Sequence, residues 1–200
     1  MFAYIKGMFE EKGNNYVVID VGGIGYKIFM SNMAIAALGE TGNVVKVHTH
    51  YYVREDNISL YGFASKEELK MFELLISVSG VGAKSAISML SAISPSDFAM
   101  AIISDDVTKL KKVPGIGVKT AQRIILELKD KLKNEEMAES TSNEITTFIS
   151  NSEDTNEAIA ALQILGYAKK DIENVFSQID LSGMSTQDII KVGLKYLSNN

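Results

Sequence analysis

Over residues 1–63, apolar side chains fall into short runs rich in β-branched and aromatic residues, broken by turn residues. Tyr16-Val17-Val18-Ile19-Asp20-Val21 and Tyr26-Lys27-Ile28-Phe29-Met30 flank a turn at Gly22–Gly25, and Gly13-Asn14-Asn15 signals a hairpin ahead of the first run. Val44 to Val53 reads as a long strand. It is followed by the polar turn Arg54-Glu55-Asp56-Asn57 and a further strand from Ile58 to Phe63. Five or six short strands in this length predict a small barrel of the oligonucleotide-binding type, with a short helix at Met33 to Leu38.

From residue 64 the apolar spacing changes to a helical period. Ser65 with Glu68 forms a capping-box pattern that opens a helix through about Val78. Lys84–Ser91 reads as helix. Ser94-Pro95 starts another, with proline at its first helical position. Val107–Lys112 is a short helix behind Asp105-Asp106, and Thr120 to Leu132 is the longest of this region. Residues 134–153 are rich in Ser, Thr, Asn and Glu and poor in apolar residues, the composition of a flexible linker. Beyond it, Asp154 or Thr155 caps a helix ending near Leu165, with Gly166 as its stop. Asp171–Ile179 is a second helix, and Ser185 or Thr186 caps a third reaching about Leu197. The pattern is a multidomain α+β chain: an OB-like β-barrel (1–63), a helical domain (64–133), a linker (134–153) and a small three-helix unit (154–200). Three short helices make only a marginal core, which a partner would complete.

Within the helical domain, one motif occurs twice. Residues 78–86 read Val-Ser-Gly-Val-Gly-Ala-Lys-Ser-Ala, and residues 113–121 read Val-Pro-Gly-Ile-Gly-Val-Lys-Thr-Ala. Gly80 aligns with Gly115, Gly82 with Gly117, Lys84 with Lys119, and Ser85 with Thr120. Each copy joins two helical stretches, so the domain carries tandem helix-hairpin-helix motifs. A tight interhelical turn needs a residue with φ above zero, which glycine adopts at no steric cost. Glycine also lets a phosphate oxygen approach the main chain. The turn leads into a helix N-terminus, whose N–H groups and dipole favour an anion. Lysine and hydroxyl side chains beside it add charge and donors. Such contacts position a protein on a nucleic-acid backbone without reading sequence.

The net charge of −5 has the wrong sign for that reading, but its distribution reverses the objection. Residues 107–133 carry eight Lys or Arg against two acids, whereas residues 134–200 carry four against eleven. A basic segment over the second hairpin is the footprint of a backbone binder, and the acidic end is suited to a protein partner. Lys109, Lys111 and Lys112 alone are equally well read as a solvated face.

Other chemistries find less support. Without cysteine there is neither a disulfide nor a thiolate metal site. Gly117-Val118-Lys119-Thr120 misses a P-loop by one inserted residue, and Gly22-Gly23-Ile24-Gly25 lacks the third glycine of a dinucleotide loop, so no nucleotide or other cofactor is expected. The N-terminus lacks the features of a signal peptide and no run is long enough to span a membrane, which points to the cytoplasm. His48 and His50 lie two apart on one strand, but without grouped partners they are a poor metal site. Glu55 and Asp56 at a hairpin tip are unusual on a DNA-binding barrel because they repel phosphate. They suit either an ordinary polar turn or a device that keeps strands apart.

Three stretches carry a resemblance to a known family. They are Val53-Arg54-Glu55-Asp56 with Leu60-Tyr61-Gly62-Phe63, the paired Gly-x-Gly-x-Lys hairpins, and Ala161-Leu162 through Leu165-Gly166-Tyr167. With the order of barrel, hairpins, linker and tail, the whole chain resembles the RuvA family, the Holliday-junction-binding subunits of bacterial branch-migration machines. The resemblance implies a four-fold homotetramer holding an open four-way junction on a basic face, and two tetramers, an octamer, able to sandwich it. It implies that the hairpins hold duplex arms by the backbone, through Gly80, Gly82, Lys84, Ser85, Gly115, Gly117, Lys119, Thr120 and Arg123. Glu55 and Asp56 become an acidic pin at the junction centre. The tail would dock on the RuvB hexameric ATPase, with a motor-binding patch drawn from Leu162, Leu165, Tyr167 and Leu194. A RuvC-type junction resolvase is a further candidate partner, and no catalytic site is expected in the chain itself. Val118 departs from the family, which often has a second lysine there; Thr120 and Arg123 offer compensation, Arg123 lying one helical turn beyond Lys119. The alternative is a structure-specific nuclease or lyase on the same hairpins, with Glu55 and Asp56 as metal ligands or Lys84 or Lys119 as the lyase amine. A third reading has the hairpins pack only on protein.

Overall fold

The computed structural model describes residues 2–55, 57–139 and 153–197, with residues 132–139 described as helix backbone only. Five strands, β1 (Tyr4–Lys12), β2 (Tyr16–Val21), β3 (Ile24–Met30), β4 (Val44–Val53) and β5 (Ile58–Phe63), close into a barrel in the order β1-β2-β3-β5-β4. All pairs are antiparallel except β3 with β5, where Phe29 faces Tyr61 and Met30 faces Gly62 in parallel. Alternation along the strands sends Ile5, Phe9, Val17, Ile19, Ile28, Met30 and Val47 inward. The short helix α1 (Asn32–Ala37), capped by Ser31, adds Ala34 and Ile35 to that core.

The helical domain contains α2 (Lys66–Ile76), α3 (Ala83–Leu90), α4 (Pro95–Ile103), α5 (Val107–Leu110) and α6 (Val118–Glu139). Ser65 and Ser94 cap α2 and α4 as their sequence predicts, through Oγ bonds from Glu68 N and Asp97 N. The Glu68 carboxylate reaches back to the chain ahead of the helix, accepting from Ala64 N at 2.9 Å and also from the backbone N–H of Ser65. The barrel and this domain share one core. Phe63 and Tyr61 of β5 stack on Phe72 of α2, with ring centroids 4.9 and 5.2 Å apart, over Met71, Leu75, Met89, Phe98 and Ile102. The expected end of α6 at Leu132 is corrected: the helix continues to Glu139, into residues expected to be linker. Its Lys- and Glu-rich continuation has good helix propensity, and nothing in Leu132–Glu139 breaks it. The remainder of the linker lies outside the described residues.

The tail comprises α7 (Glu153–Ile164), α8 (Lys169–Phe176) and α9 (Thr186–Leu197). α8 begins two residues before the expected Asp171, after Ala168 in extended conformation. Ser185 caps α9, accepting from Asp188 N at 3.3 Å. The tail's core is completed by the helical domain: Ala99 of α4 is fully buried among Ala158, Leu162, Leu165, Ile172, Phe176, Ile189 and Ile190, with Met100 and Ile103 alongside. The Tyr167 hydroxyl donates to Glu67 Oε1 at 2.8 Å, and the Lys70 ammonium lies 3.5 Å above the Tyr167 ring. Among the described residues, no single helix is long and apolar enough to cross a membrane.

Candidate nucleic-acid interface

The two sequence repeats fold into the same backbone. Val81 N donates to Val78 O at 3.1 Å, and Ile116 N to Val113 O at 3.1 Å. Gly80 and Gly115 both take φ +84°, the conformation that L side chains resist. The first helical bond then closes from Ala86 N to Gly82 O at 3.0 Å and from Ala121 N to Gly117 O at 2.9 Å. The apolar positions anchor each turn from beneath: Val78 and Val113, Val81 and Ile116, and Ala86 and Ala121 are all buried. The glycines between them are exposed. Gly82 caps α3 with no side-chain hydrogen bond, which leaves the helix's first N–H groups to an outside acceptor.

Beside these turns Lys84 and Lys119 are exposed, and Ser85 and Thr120 are half-buried. Val118, where Ala83 stands in the first copy, is 51% exposed, so an apolar side chain occupies surface beside the second turn. Several other cations of the basic segment are engaged within the protein. Lys109 pairs with Asp97 at 2.8 Å and Lys129 with Asp105 at 2.6 Å, while Lys131 meets the Ser77 hydroxyl. Lys109 therefore does not belong to a merely solvated face. Its ammonium, with Ser94, holds the Asp97 carboxyl below the usual carboxylate range.

Glu55 is exposed at the tip of the β4–β5 hairpin, which closes by Arg54 N donating to Asn57 O at 2.8 Å. Arg54 is held back on the strand, its Nε donating to the Tyr52 hydroxyl at 2.8 Å. Asp56, the other half of the expected pin, lies outside the described residues. On β4, His50 Nδ1 is 3.0 Å from Glu73 Oε1 and its ring packs against Phe72. Burial, then the charges of Lys46 and Lys66, lower the pKa of His48. Among the described residues no group of three or more His, Cys, Asp or Glu could hold a metal ion.

Of the four tail residues expected to contribute a partner-binding patch, two are interior. Leu162 and Leu165 are fully buried, and Leu194 packs against the same core. Leu162 and Leu165 are core because α4 supplies the covering helix that the three-helix unit lacks, whereas Leu194 stays partly exposed. Tyr167 is partly buried against α2; burial and the hydrogen bond to the Glu67 carboxylate push its phenol pKa far up. Among the described residues of this unit, Tyr196 is the large hydrophobic side chain left exposed, at 53%.

Three side-chain contacts between the hairpins are absent from the sequence reading. Arg123 Nη1 donates to Ser79 O at 3.3 Å, Ser79 N donates to Glu127 Oε2 at 3.2 Å, and Ser88 Oγ donates to Pro114 O at 3.3 Å. The signal that could have found them is the repeat itself, because Ser79 and Pro114, like Ser88 and Arg123, are 35 positions apart.

Comparison with known proteins agrees with this geometry over the full length. The family model described as RuvA N terminal domain matches residues 1–62, that of a SAM-like Helix-hairpin-helix tandem matches 72–130, and that of RuvA, C-terminal domain matches 153–198. A Ruminiclostridium cellulolyticum protein named Holliday junction branch migration complex subunit RuvA is 49% identical, over 98% of this chain and 100% of its own. The protein of that name from Acetivibrio thermocellus is 50% identical over 99% of both chains. The chain belongs to the RuvA family. A Clostridium perfringens RuvA is 42% identical over 98% of this chain. In this RuvA-family chain the matched tandem model spans both Gly-x-Gly turns, and the C-terminal model spans α7, α8 and α9.

Proposed function

We propose that this chain is the junction-binding subunit of a branch-migration complex. It holds four-way DNA by its sugar-phosphate backbone and has no catalytic role of its own. The observation that carries this reading is the pair of matching hairpins, each with an exposed glycine turn that leads into a helix and an exposed lysine beside it. Full-length relatives named as Holliday junction branch migration complex subunits support it. Within this proposal Gly80, Gly82, Lys84 and Ser85 form one phosphate cradle, and Gly115, Gly117, Lys119 and Thr120 the other. The chain acts as a homotetramer in the cytoplasm, and exposed apolar residues of the barrel, such as Tyr4, Ile24, Val44 and Ile58, supply surface to bury between subunits. An octamer forms where two tetramers close on one junction. Glu55 with Asp56 stands at the four-fold axis, where strand exchange occurs. The tail recruits the RuvB ATPase, and its exposed Tyr196 joins Tyr167 as a candidate contact. A RuvC-type resolvase has access to the junction's uncovered face in the tetramer state.

The test is a gel shift of the purified protein on a four-way junction and on a linear duplex of equal length, with competitor DNA, divalent metal and no ATP. Strong junction preference with intact strands is the expected result. Equal weak binding to both would reduce the chain to a generic backbone binder, and cut products would restore the nuclease alternative.

A further inference from the structure

The two hairpins are tied to each other by a reciprocal clasp that follows the internal repeat. Position 79 of the first copy corresponds to position 114 of the second, and position 88 to position 123. In the structure Arg123, on the helix leaving the second hairpin, donates to the carbonyl of Ser79 in the first hairpin's loop. Ser88, on the helix leaving the first hairpin, donates to the carbonyl of Pro114 in the second hairpin's loop. Both bonds are 3.3 Å long, and both end on the residue just before a glycine at φ +84°. The clasp is unequal. Ser79 also uses its N–H, donating at 3.2 Å to Glu127, one turn beyond Arg123 on α6. The second hairpin cannot copy this arm, because Pro114 has no N–H and the counterpart of Glu127 is Ala92.

We propose that Arg123 and Glu127 are positioning residues: together they hold the peptide of Ser79, and hence the first phosphate cradle, in register with the second. This rests on the hairpins being the DNA-binding elements. It changes the role of Arg123, whose guanidinium is engaged by the protein's own backbone beside Gly80. A Cβ added at Gly80 would lie 3.6 Å from Arg123 Nη1, so the guanidinium also lies against that turn. The physical need is plain. Val78, Val81, Val113 and Ile116 anchor the two turns in one core, but Ser79, Gly80, Pro114 and Gly115 between them are exposed, so burial does not by itself hold the peptides at the turn tips. Two cradles must meet one rigid backbone at once, and each contact weakens when its partner is out of place.

Glu127 gives a test whose sign separates this role from simple electrostatics. An acid beside a phosphate-binding surface repels DNA, so deleting it should tighten binding if charge is all that matters. A positioning role gives the opposite. Glu127→Ala is expected to weaken four-way junction binding by about tenfold, the scale of one charge-assisted hydrogen bond. It is also expected to flatten the slope of log affinity against log salt by about 0.9, as the Lys84 contact slips. Glu127→Gln removes the same charge but keeps an acceptor for Ser79 N–H, and is expected to bind at least as well as the unsubstituted protein. Hydrogen exchange at residues 79–82 should accelerate in Glu127→Ala and not in Glu127→Gln. Ser88→Ala, which breaks the other arm, provides a second variant with an expected smaller loss should Glu127→Ala fail to fold. Junction affinity equal to or above the unsubstituted protein's in both folded alanine variants overturns the clasp. A failure of the unsubstituted protein to prefer the junction overturns the functional reading instead, and the two failures are read in separate lanes of one titration.

Discussion

Replacing Gly82 and Gly117 together by alanine isolates the close approach of DNA to the hairpin backbone. At Gly80 and Gly115 any substitution strains the turn, so folding and binding fail together. Gly82, by contrast, has φ −90° and ψ 167°, and Gly117 is not in the positive-φ region. A Cβ at either would have no heavy atom within 4 Å. The double variant therefore folds without strain or collision. Its stability cost is that of an alanine in place of glycine at a helix N-cap, at most about 1 kcal/mol per site. For a chain of this size that lowers the melting temperature by about 2–4 °C for each kcal/mol. Two methyl groups then stand where phosphate oxygens must reach the first N–H groups of α3 and α6. A lost hydrogen bond to a charged group is worth about 1.5–3 kcal/mol, which is about tenfold or more in affinity per hairpin. The assay is a fluorescence anisotropy titration of a labelled four-way junction and an equal-length duplex at fixed salt, paired with a thermal melt. Both affinities are expected to fall at least tenfold, with only the small change in melting. Unchanged affinity in a folded double variant would refute the backbone-cradle argument, since nothing else on these loops changes.

Other outcomes follow from the same geometry. Lys84→Ala and Lys119→Ala, both at exposed positions, should each flatten the salt dependence of junction binding by about 0.9 in log–log slope while leaving the melting temperature in place; an unaltered slope would remove that lysine from the phosphate contacts. Tyr167→Phe deprives the buried Glu67 carboxylate of its 2.8 Å donor, so docking of the tail on α2 should weaken by about 1–3 kcal/mol, seen as faster hydrogen exchange in α7 and α8; unchanged protection would show that Ala99 and its neighbours hold the tail alone. Asp97 has a lowered folded-state pKa, so its stabilising contribution is complete above its unfolded value of 3.8 and is lost as pH falls through the folded value. Acid unfolding of Asp97→Asn should accordingly show a shallower limb below pH 3.8, and an identical limb in both proteins would assign acid sensitivity to other groups.

Much of the fold was legible because local signals agreed with the final packing. The barrel strands alternate, the caps at Ser65, Ser94 and Ser185 sit where helices begin, and the repeated glycines mark both turns. Some helix boundaries misled for local reasons. α6 runs on to Glu139 because a linker-like composition also contains good helix formers, and α8 starts at Lys169 although Ala168 carries no capping side chain. Leu162 and Leu165 read as candidates for a surface patch because forty-odd residues make a thin core, and no local pattern announces that α4 will cover them.

By itself the sequence determined everything set by near neighbours along the chain: the strand and helix periods, the identity of the two hairpin turns, and the lysine and hydroxyl placed one step into each helix. Those features depend on backbone sterics and on spacings of two to four residues, which a sequence displays directly. Only the tertiary structure decided what depends on meetings between distant segments. It closed β3 on β5, buried Ala99 in the tail's core, tied Tyr167 to Glu67, and brought Arg123 and Glu127 onto the Ser79 peptide. Such contacts join residues 32 to 100 positions apart, and their partners are chosen by which surfaces remain to be covered once each local element has formed.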